Sequence, residues 1–303
     1  MDLQNIIPKD GPAIEEVQKY IKKYIDEVIV IKCGGSVLLD QNLFNQFIQD
    51  ISVINKLGLS SVIIHGGGGN IKKKLDQQNI ESKFIDGLRV TDKIILKVVD
   101  EALTELNLEI IKKLNTKKCK AQSITTKKNN VITTFPERKE LGFVGNPKEV
   151  KKEKLLAIIK NKEVPVIVPM GIGDDKKPYN INADIAAGAV AKTLNSRRLL
   201  LMTDVEGVLD KNKKLISEIN SKIAHEMIKD GTIIGGMIPK INTCIDAVNN
   251  GVTGVVIVDG RKPHSILFEL FSDKGAGILI RKWKNLKISK ILSSIVTEYS
   301  TKI

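Results

Sequence analysis

The chain has 303 residues, 42% hydrophobic and 27% charged, proportions that support one large or two ordinary folded domains and exclude a disordered chain, a collagen-like fibre and a disulfide-stapled miniprotein. Lys and Arg total 48 against 35 Asp and Glu, a formal charge of +13. The lysines lie in short scattered clusters such as Lys72-Lys73-Lys74, Lys127-Lys128 and Lys213-Lys214, and only 4% of residues are aromatic, so no nucleic-acid partner is expected.

Residues 12–26 carry Ile14, Val17, Ile21, Tyr24 and Ile25 at helical spacing with Pro12 in the first turn, which predicts an amphipathic amino-terminal helix. Val28–Ile31 reads as a buried strand emptying into Lys32-Cys33-Gly34-Gly35. A helix over 42–57 leads to a second buried strand, Ser61–Ile64, and His65-Gly66-Gly67-Gly68-Gly69-Asn70 opens a third helix carrying Ile71 and Leu75. Apolar runs at 164–168, 199–202 and 255–258 alternate with helical stretches near 93–115, 184–194, 238–250 and 264–271. This alternation predicts an α/β fold with helices on both faces of a mainly parallel sheet. Residues 117–147, polar and lysine-rich, are expected to form hairpins and loops over the sheet edge. Asn195-Ser196-Arg197 reads as a hinge between lobes, and Leu286, Ile288, Ile291, Leu292, Ile295 and Val296 predict a last amphipathic helix.

Cys33, Cys119 and Cys244 form no CxxC pair, and neither HxH nor HExxH occurs, so neither a disulfide framework nor a resident metal is expected. No apolar run reaches the ~20 residues of a membrane span and the first residues lack a signal peptide's pattern, so no membrane partner is expected and a cytoplasmic location fits.

Glycine turns at the carboxyl ends of parallel strands let backbone amides and helix amino termini converge on an anion, so phosphate or carboxylate is the natural guest of both. Neither turn is a GxxxxGK[ST] loop or a clean GxGxxG fingerprint. Arg89, in a predicted hairpin, either clamps a carboxylate bidentately or makes a surface ion pair. Asp184 caps an alanine-rich helix, serves a reaction, or does both. Met202-Thr203-Asp204-Val205-Glu206-Gly207-Val208 suits a nucleotide-contacting turn or a plain strand exit. Lys240 falls in the first turn of a helix, where the macrodipole disfavours a cation, which hints at a function.

Ile31-Lys32-Cys33-Gly34-Gly35-Ser36, His65-Gly66-Gly67-Gly68, Gly87-Leu88-Arg89-Val90-Thr91-Asp92, Asn180-Ile181-Asn182-Ala183-Asp184, Thr203-Asp204-Val205-Glu206-Gly207-Val208 and Gly236-Met237-Ile238-Pro239-Lys240 together resemble the amino-acid kinase family. The third, fourth and sixth point within it to members acting on N-acetyl-L-glutamate. The resemblance spans residues 12 to about 281. It implies a three-layer αβα sandwich with an extra amino-terminal helix, and ATP-dependent phosphorylation of the γ-carboxylate of N-acetyl-L-glutamate, with Mg2+ carried by ATP. It implies an oligomerisation helix over 1–26, an amino-acid substrate lobe over 27–195 and a nucleotide-binding lobe over 196–303. Lys32 and Lys240 would flank the moving phosphoryl group and Asp184 would orient them. Gly67, Gly68, Arg89 and Asn180 would hold the amino acid. Gly34, Gly35, Asp204, Val205, Gly207 and Leu209 would face the nucleotide. Similarity to arginine-inhibited members implies a homohexamer and an arginine site near Tyr20, Arg198, His264, Glu269 and Gly277. Gly69-Asn70 stands where the family usually has Pro-Gln, and residues 122–130 replace a glycine- and aspartate-containing turn. A sister kinase of another small carboxylate and an idle arginine- or nucleotide-sensing module are the rival readings.

Overall fold

The computed structural model describes residues 2–209 and 215–282; the helix expected from Leu286 onward lies outside the described residues. After a 3-10 turn at Leu3–Asn5 the chain forms α1 (Ile14–Ile21), β1 (Val28–Cys33), α2 (Gln41–Lys56), β2 (Ser60–His65) and α3 (Gly68–Gln77). A two-stranded hairpin, β3 (Phe84–Ile85) and β4 (Leu88–Arg89), leads to the long α4 (Lys93–Thr116). Next come β5 (Ala121–Ile124), β6 (Ile132–Pro136), β7 (Gly145–Val150), α5 (Lys152–Lys160), β8 (Val164–Ile167), β9 (Met170–Gly173), β10 (Pro178–Asn180) and α6 (Ala183–Thr193). The remainder is β11 (Arg198–Thr203), β12 (Glu218–Asn220), α7 (Ser221–Lys229), α8 (Met237–Asn249), β13 (Val255–Asp259), α9 (Ser265–Phe271) and β14 (Gly277–Arg281).

Among the described residues, eight strands form the central sheet in the order β12-β14-β13-β11-β1-β2-β8-β5. Every neighbouring pair is parallel except β13 with β14. Its middle strands are buried on both sides, and their side chains sort by the two-residue period of a strand. Val30, Val62, Ile64, Leu199, Leu201, Val255 and Ile257 enter one core with α6 and α8. Ile29, Ile31, Ile63, Leu200, Val256 and Val258 enter the other, with α2, part of α4 and α9. The α/β sandwich with a mainly parallel sheet is therefore present.

Local chemistry explains the helix boundaries. Asp40 caps α2 by accepting from the amides of Asn42 and Leu43 at 2.8 and 3.0 Å. Asp92 caps α4 by accepting from Ile94 and Ile95, both at 2.8 Å; each cap satisfies amides with no partner inside the helix. Phe44, Phe47, Ile48, Ile51 and Ile54 give α2 its buried face.

Two expectations change. The amino-terminal helix ends at Ile21, not near residue 26. Tyr24 is still buried, but Ile25 is 55% exposed, because the chain turns through Asp26 at φ 61° to enter β1. Residues 117–147 are only partly a cover: β5 is the parallel edge strand of the central sheet itself, paired with β8. Of the strands in this region, β6 and β7 lie outside it as an antiparallel pair, within a separate sheet of order β10-β9-β6-β7.

Phe271 at the end of α9 is fully buried and meets the Tyr24 ring edge-on at 6.0 Å, joining the two ends of the described chain. Phe271→Ala is expected to lower stability by about 3–5 kcal/mol, read as a fall in the urea midpoint at unchanged slope. A loss under about 1 kcal/mol would mean that α9 is not integral to this core.

Candidate active site

Lys32 has the same parity in β1 as Val30, so it projects from the sheet toward α6 and α8. At the start of α6 the cap is Asn182, which accepts from the amides of Asp184 and Ile185 at 2.9 and 3.3 Å. Asp184, the second residue inside the helix, is thereby free of the capping role that the sequence also allowed. Lys32 Nζ lies 3.0 Å from Asp184 Oδ1, and Lys240 Nζ, from the first turn of α8, donates to Asp184 Oδ2 at 2.5 Å. The three side chains are only 12%, 16% and 13% exposed for Lys32, Asp184 and Lys240. Burial alone would raise the Asp184 carboxyl, but the ammonium groups of Lys32 and Lys240 overcome it and hold the group at about 2.

Small residues make this approach possible. Gly188 in α6 faces α8, where a Cβ would come within 3.1 Å of Thr243 Cγ2. Gly34 lies against the first lysine, and a Cβ there would stand 2.7 Å from Lys32 Nζ. Gly35 adopts φ 61°, a region that side-chain-bearing residues resist, with the Asp204 carboxylate filling the space beside it. Ser36 donates to Asp204 Oδ1 through its N–H at 3.0 Å and its hydroxyl at 2.7 Å, tying the end of β11 to the first glycine turn.

A cavity of about 230 Å³ opens beside the triad, lined by Lys32, Gly34, Gly35, Gly67, Gly68, Arg89 and Asn180 among others. Arg89 comes from the predicted hairpin: its Nη1 donates to Ser82 Oγ at 2.5 Å and its guanidinium lies 4.7 Å from the Phe84 ring centre. The ion pair of that hairpin belongs instead to Arg138 and Asp86, 2.9 Å apart. Asn180 Nδ2 donates to Thr91 Oγ1 at 3.4 Å. Of the residues expected to face a nucleotide, Gly34, Gly35 and Asp204 cluster at the first glycine turn. Val205, Gly207 and Leu209 occupy the turn after β11, with Val205 and Leu209 exposed.

A second cavity, of about 320 Å³, is lined by Tyr20, Arg198, Glu269 and Gly277. Burial raises the Glu269 carboxyl above its ordinary range, and its Oε2 accepts from the Ala276 amide at 2.9 Å. His264 does not join these four. Its Nδ1 meets Asp50 Oδ1 at 2.5 Å and its Nε2 faces Asp10 Oδ1 at 3.2 Å.

The profile of the amino acid kinase family matches residues 27–259, most of the chain. This chain belongs to the amino acid kinase family. A relative named acetylglutamate kinase, from Pelagibacter ubique, is 57% identical over 281 residues, which span 93% of this chain and 98% of that one. Another of the same name, from Clostridioides difficile, is 43% identical and spans 91% and 98%. Among solved structures, N-acetylglutamate synthase from Neisseria gonorrhoeae, complexed with coenzyme A and N-acetyl-glutamate, aligns with a TM-score of 0.80 at 22% identity. It covers 89% of this chain and 63% of that longer one, a likeness of fold.

Within this amino acid kinase, the sequence reading missed Ser82 and Phe84, which steady Arg89. The register Phe84↔Arg89 follows from the two-residue turn Asp86-Gly87, which was the available signal. It also missed Lys23 and Asp273 at the second cavity.

The folded chain holds the Asp184 carboxyl at about 2 against an ordinary 3.8, so it binds fewer protons than the unfolded chain. The resulting stabilisation is full above about pH 4 and fades as pH falls through 2. Asp184→Asn is expected to cost about 2 kcal/mol or more near neutral pH, with the gap to the parent narrowing between pH 4 and 2. Denaturant midpoints measured across that range would contradict the pairing if the gap stayed constant.

Proposed function

We propose that this kinase transfers the γ-phosphoryl group of ATP, delivered with Mg2+, to the γ-carboxylate of N-acetyl-L-glutamate, giving the acyl phosphate used in arginine biosynthesis. The observation that carries the reading is the pair of ammonium groups on one carboxylate at the edge of a glycine-lined cavity. Lys32, Asp184 and Lys240 together retain one net positive charge, which a migrating phosphoryl group with its equatorial oxygens would neutralise. The attacking carboxylate is ionised at neutral pH, so the step needs no general base. Asp184 holds the two ammonium groups in place between turnovers. The amides of Gly67 and Gly68 receive the γ-carboxylate, Arg89 the α-carboxylate, and Asn180 completes the pocket. Gly34, Gly35, Asp204, Val205, Gly207 and Leu209 form the nucleotide side. In this reading residues 27–195 are the amino-acid lobe and 196–303 the nucleotide lobe. The names of the relatives at 57% and 43% identity support the substrate.

Arginine feedback belongs to the same proposal. The second cavity offers the buried carboxyl of Glu269 to a guanidinium, with Tyr20 on α1 and Gly277 on β14 as its walls. Residues 1–26 would also join protomers into a homohexamer, a trimer of dimers. His264 would act on this cavity through its hold on Asp10 in the amino-terminal segment.

The test is a carboxylate panel with ATP, the acyl phosphate trapped as hydroxamate, run with and without arginine. N-acetyl-L-glutamate is expected to give the highest kcat/KM, and a better rate on aspartate, glutamate, aminoadipate or carbamate would overturn the assignment. Lys32→Ala and Lys240→Ala are expected to cut kcat by about 10²–10³ with little change in KM. Arg89→Ala is expected chiefly to raise KM, by about tenfold or more. Small and equal effects in all three would refute these roles. In the Glu269→Gln variant, arginine inhibition is expected to weaken by about tenfold while uninhibited turnover is kept; unchanged inhibition would exclude that cavity.

A further inference from the structure

His65 ends β2 immediately before the glycine turn. It shares the parity of Ile63, so its ring points away from the lysine triad and into the core beneath α4. There it is fully buried, in contact with a polar group that the mechanism above does not use. Asn107, also fully buried, sends its Nδ2 to the Val166 carbonyl at 3.0 Å and to His65 Nε2 at 3.1 Å. Its Oδ1 accepts from the Ser123 hydroxyl at 2.6 Å. On the other side of the ring, His65 Nδ1 lies 2.9 Å from the Gly66 carbonyl.

These contacts fix the position of the ring proton. The Val166 carbonyl only accepts, so the Asn107 atom facing it is the NH2 group, and the oxygen is the atom facing Ser123. Nε2 therefore faces a donor and must itself accept, while Nδ1 faces a carbonyl and must donate. The ring is neutral and protonated on Nδ1, since an imidazolium would point Nε2–H at the NH2 group. Burial has the same sense, lowering the His65 imidazole to about 4. Of the charged side chains on the surrounding elements, Lys32 of β1 holds Asp184 and Asp50 of α2 holds His264. On α4, Glu105 pairs with Lys74, Asp100 with Lys127, and Lys113 bonds Asn45.

The bond to Gly66 has a mechanical consequence. The Gly66 amide donates to the Cys33 carbonyl at 2.6 Å, so both peptide planes at this residue are tied down. In a trans peptide the Gly67 N–H points opposite to the Gly66 carbonyl. Anchoring that carbonyl on His65 therefore turns the Gly67 N–H away from the core, on the residue that lines the cavity.

We propose that Asn107 and His65 are positioning residues: Asn107 locks the imidazole in the Nδ1–H tautomer, and that N–H anchors the Gly66 carbonyl and so aims the Gly67 amide at the substrate carboxylate. The inference rests on the reading of this turn as substrate-binding and adds the device that sets its geometry.

Two substitutions separate geometry from bulk. In His65→Asn the side-chain NH2 reaches the place of Nδ1 and still donates to Gly66. In His65→Gln the amide reaches the place of Nε2 and leaves Gly66 without a donor. KM for N-acetyl-L-glutamate at saturating ATP is expected to rise about tenfold in H65Q and to stay within about threefold of the parent in H65N. The kcat is expected to change less than about twofold in both. Ring 15N spectra of the intact protein provide a second reading that needs no variant, since the chain has only three histidines. The His65 ring is expected to carry its proton on Nδ1 across about pH 5–8. A proton on Nε2, or equal KM increases in the two variants, would overturn the positioning role. A parent chain inactive on N-acetyl-L-glutamate would instead overturn the substrate reading and with it the aim of the Gly67 amide, whatever the ring spectra give.

Discussion

Two like charges held beside one carboxylate in a mostly desolvated site form the constraint around which this fold is arranged. The ammonium groups of Lys32 and Lys240 repel each other, and each loses hydration as it is buried, so Asp184 must pair with both at once. The three residues come from the end of a central strand and the first turns of two different helices. The α6 amino terminus favours the Asp184 carboxylate, whereas the α8 amino terminus disfavours Lys240, so the shared carboxylate offsets an unfavourable placement. The arrangement stays one charge short of neutrality. That residual cation, next to turns that expose backbone amides, is complementary to an anion that spreads its charge over several oxygens.

The second cavity is assembled differently, from segments about as far apart in sequence as the chain permits. Asp273, after α9, accepts from Lys19 at 2.5 Å and from the Tyr20 hydroxyl, and its own amide donates to Glu16 at 3.0 Å. These exposed contacts are individually weak. The firmer tie is buried: His264 against Asp50 of α2. Burial lifts the Asp50 carboxyl to about 6 even with His264 opposing the rise, and the hydrogen bond that the Asp50 carboxylate accepts from the ring raises the imidazole. Because α2 follows the first glycine turn and packs against α9, the helix that carries Glu269, packed elements run from that turn to the second cavity. That continuity is a spatial route; a coupling free energy between ligands at the two cavities is what would make it allosteric.

Parity and turn chemistry made much of this legible from sequence. The continuous β-branched run Val28–Ile31 and the glycines that follow located Lys32 at a strand end, and Pro239-Lys240 located the second lysine in a helix start. The role of Asn182 was less legible, because Asn and Asp two residues apart are both good caps, and only the backbone angle at Asn182 decides between them. The strand β5 was hidden because Gln122 and Ser123 interrupt its apolar character; an edge strand with a polar residue facing α4 carries no hydrophobic run to recognise. His264 was grouped with Glu269 by the resemblance to arginine-inhibited members, yet as the residue before α9, at φ 50°, it turns its ring to α2. Asn107 was invisible as a functional candidate, since its partners His65, Ser123 and Val166 lie on three strands and no spacing in the chain encodes them.

His65 illustrates how the chemistry of the proposed reaction constrains the use of a titratable side chain. Proton transfer requires an imidazole whose ionisation lies near the working pH and whose nitrogens reach the reacting atoms. The ring of His65 has neither property: it is sealed beneath α4, depressed by burial and engaged at both nitrogens. A carboxylate acceptor that arrives already ionised makes such a base unnecessary. What the step does demand is an anion pocket whose amides do not have to reorganise when charge moves, because preorganised dipoles act at no further cost during the reaction. A neutral imidazole bonded on both sides meets that demand without adding another cation behind a turn that already faces Lys32 and Arg89 across the cavity. In the proposed reading the histidine is part of the scaffold of the anion site, with burial holding its ring neutral and its hydrogen bonds fixing its geometry.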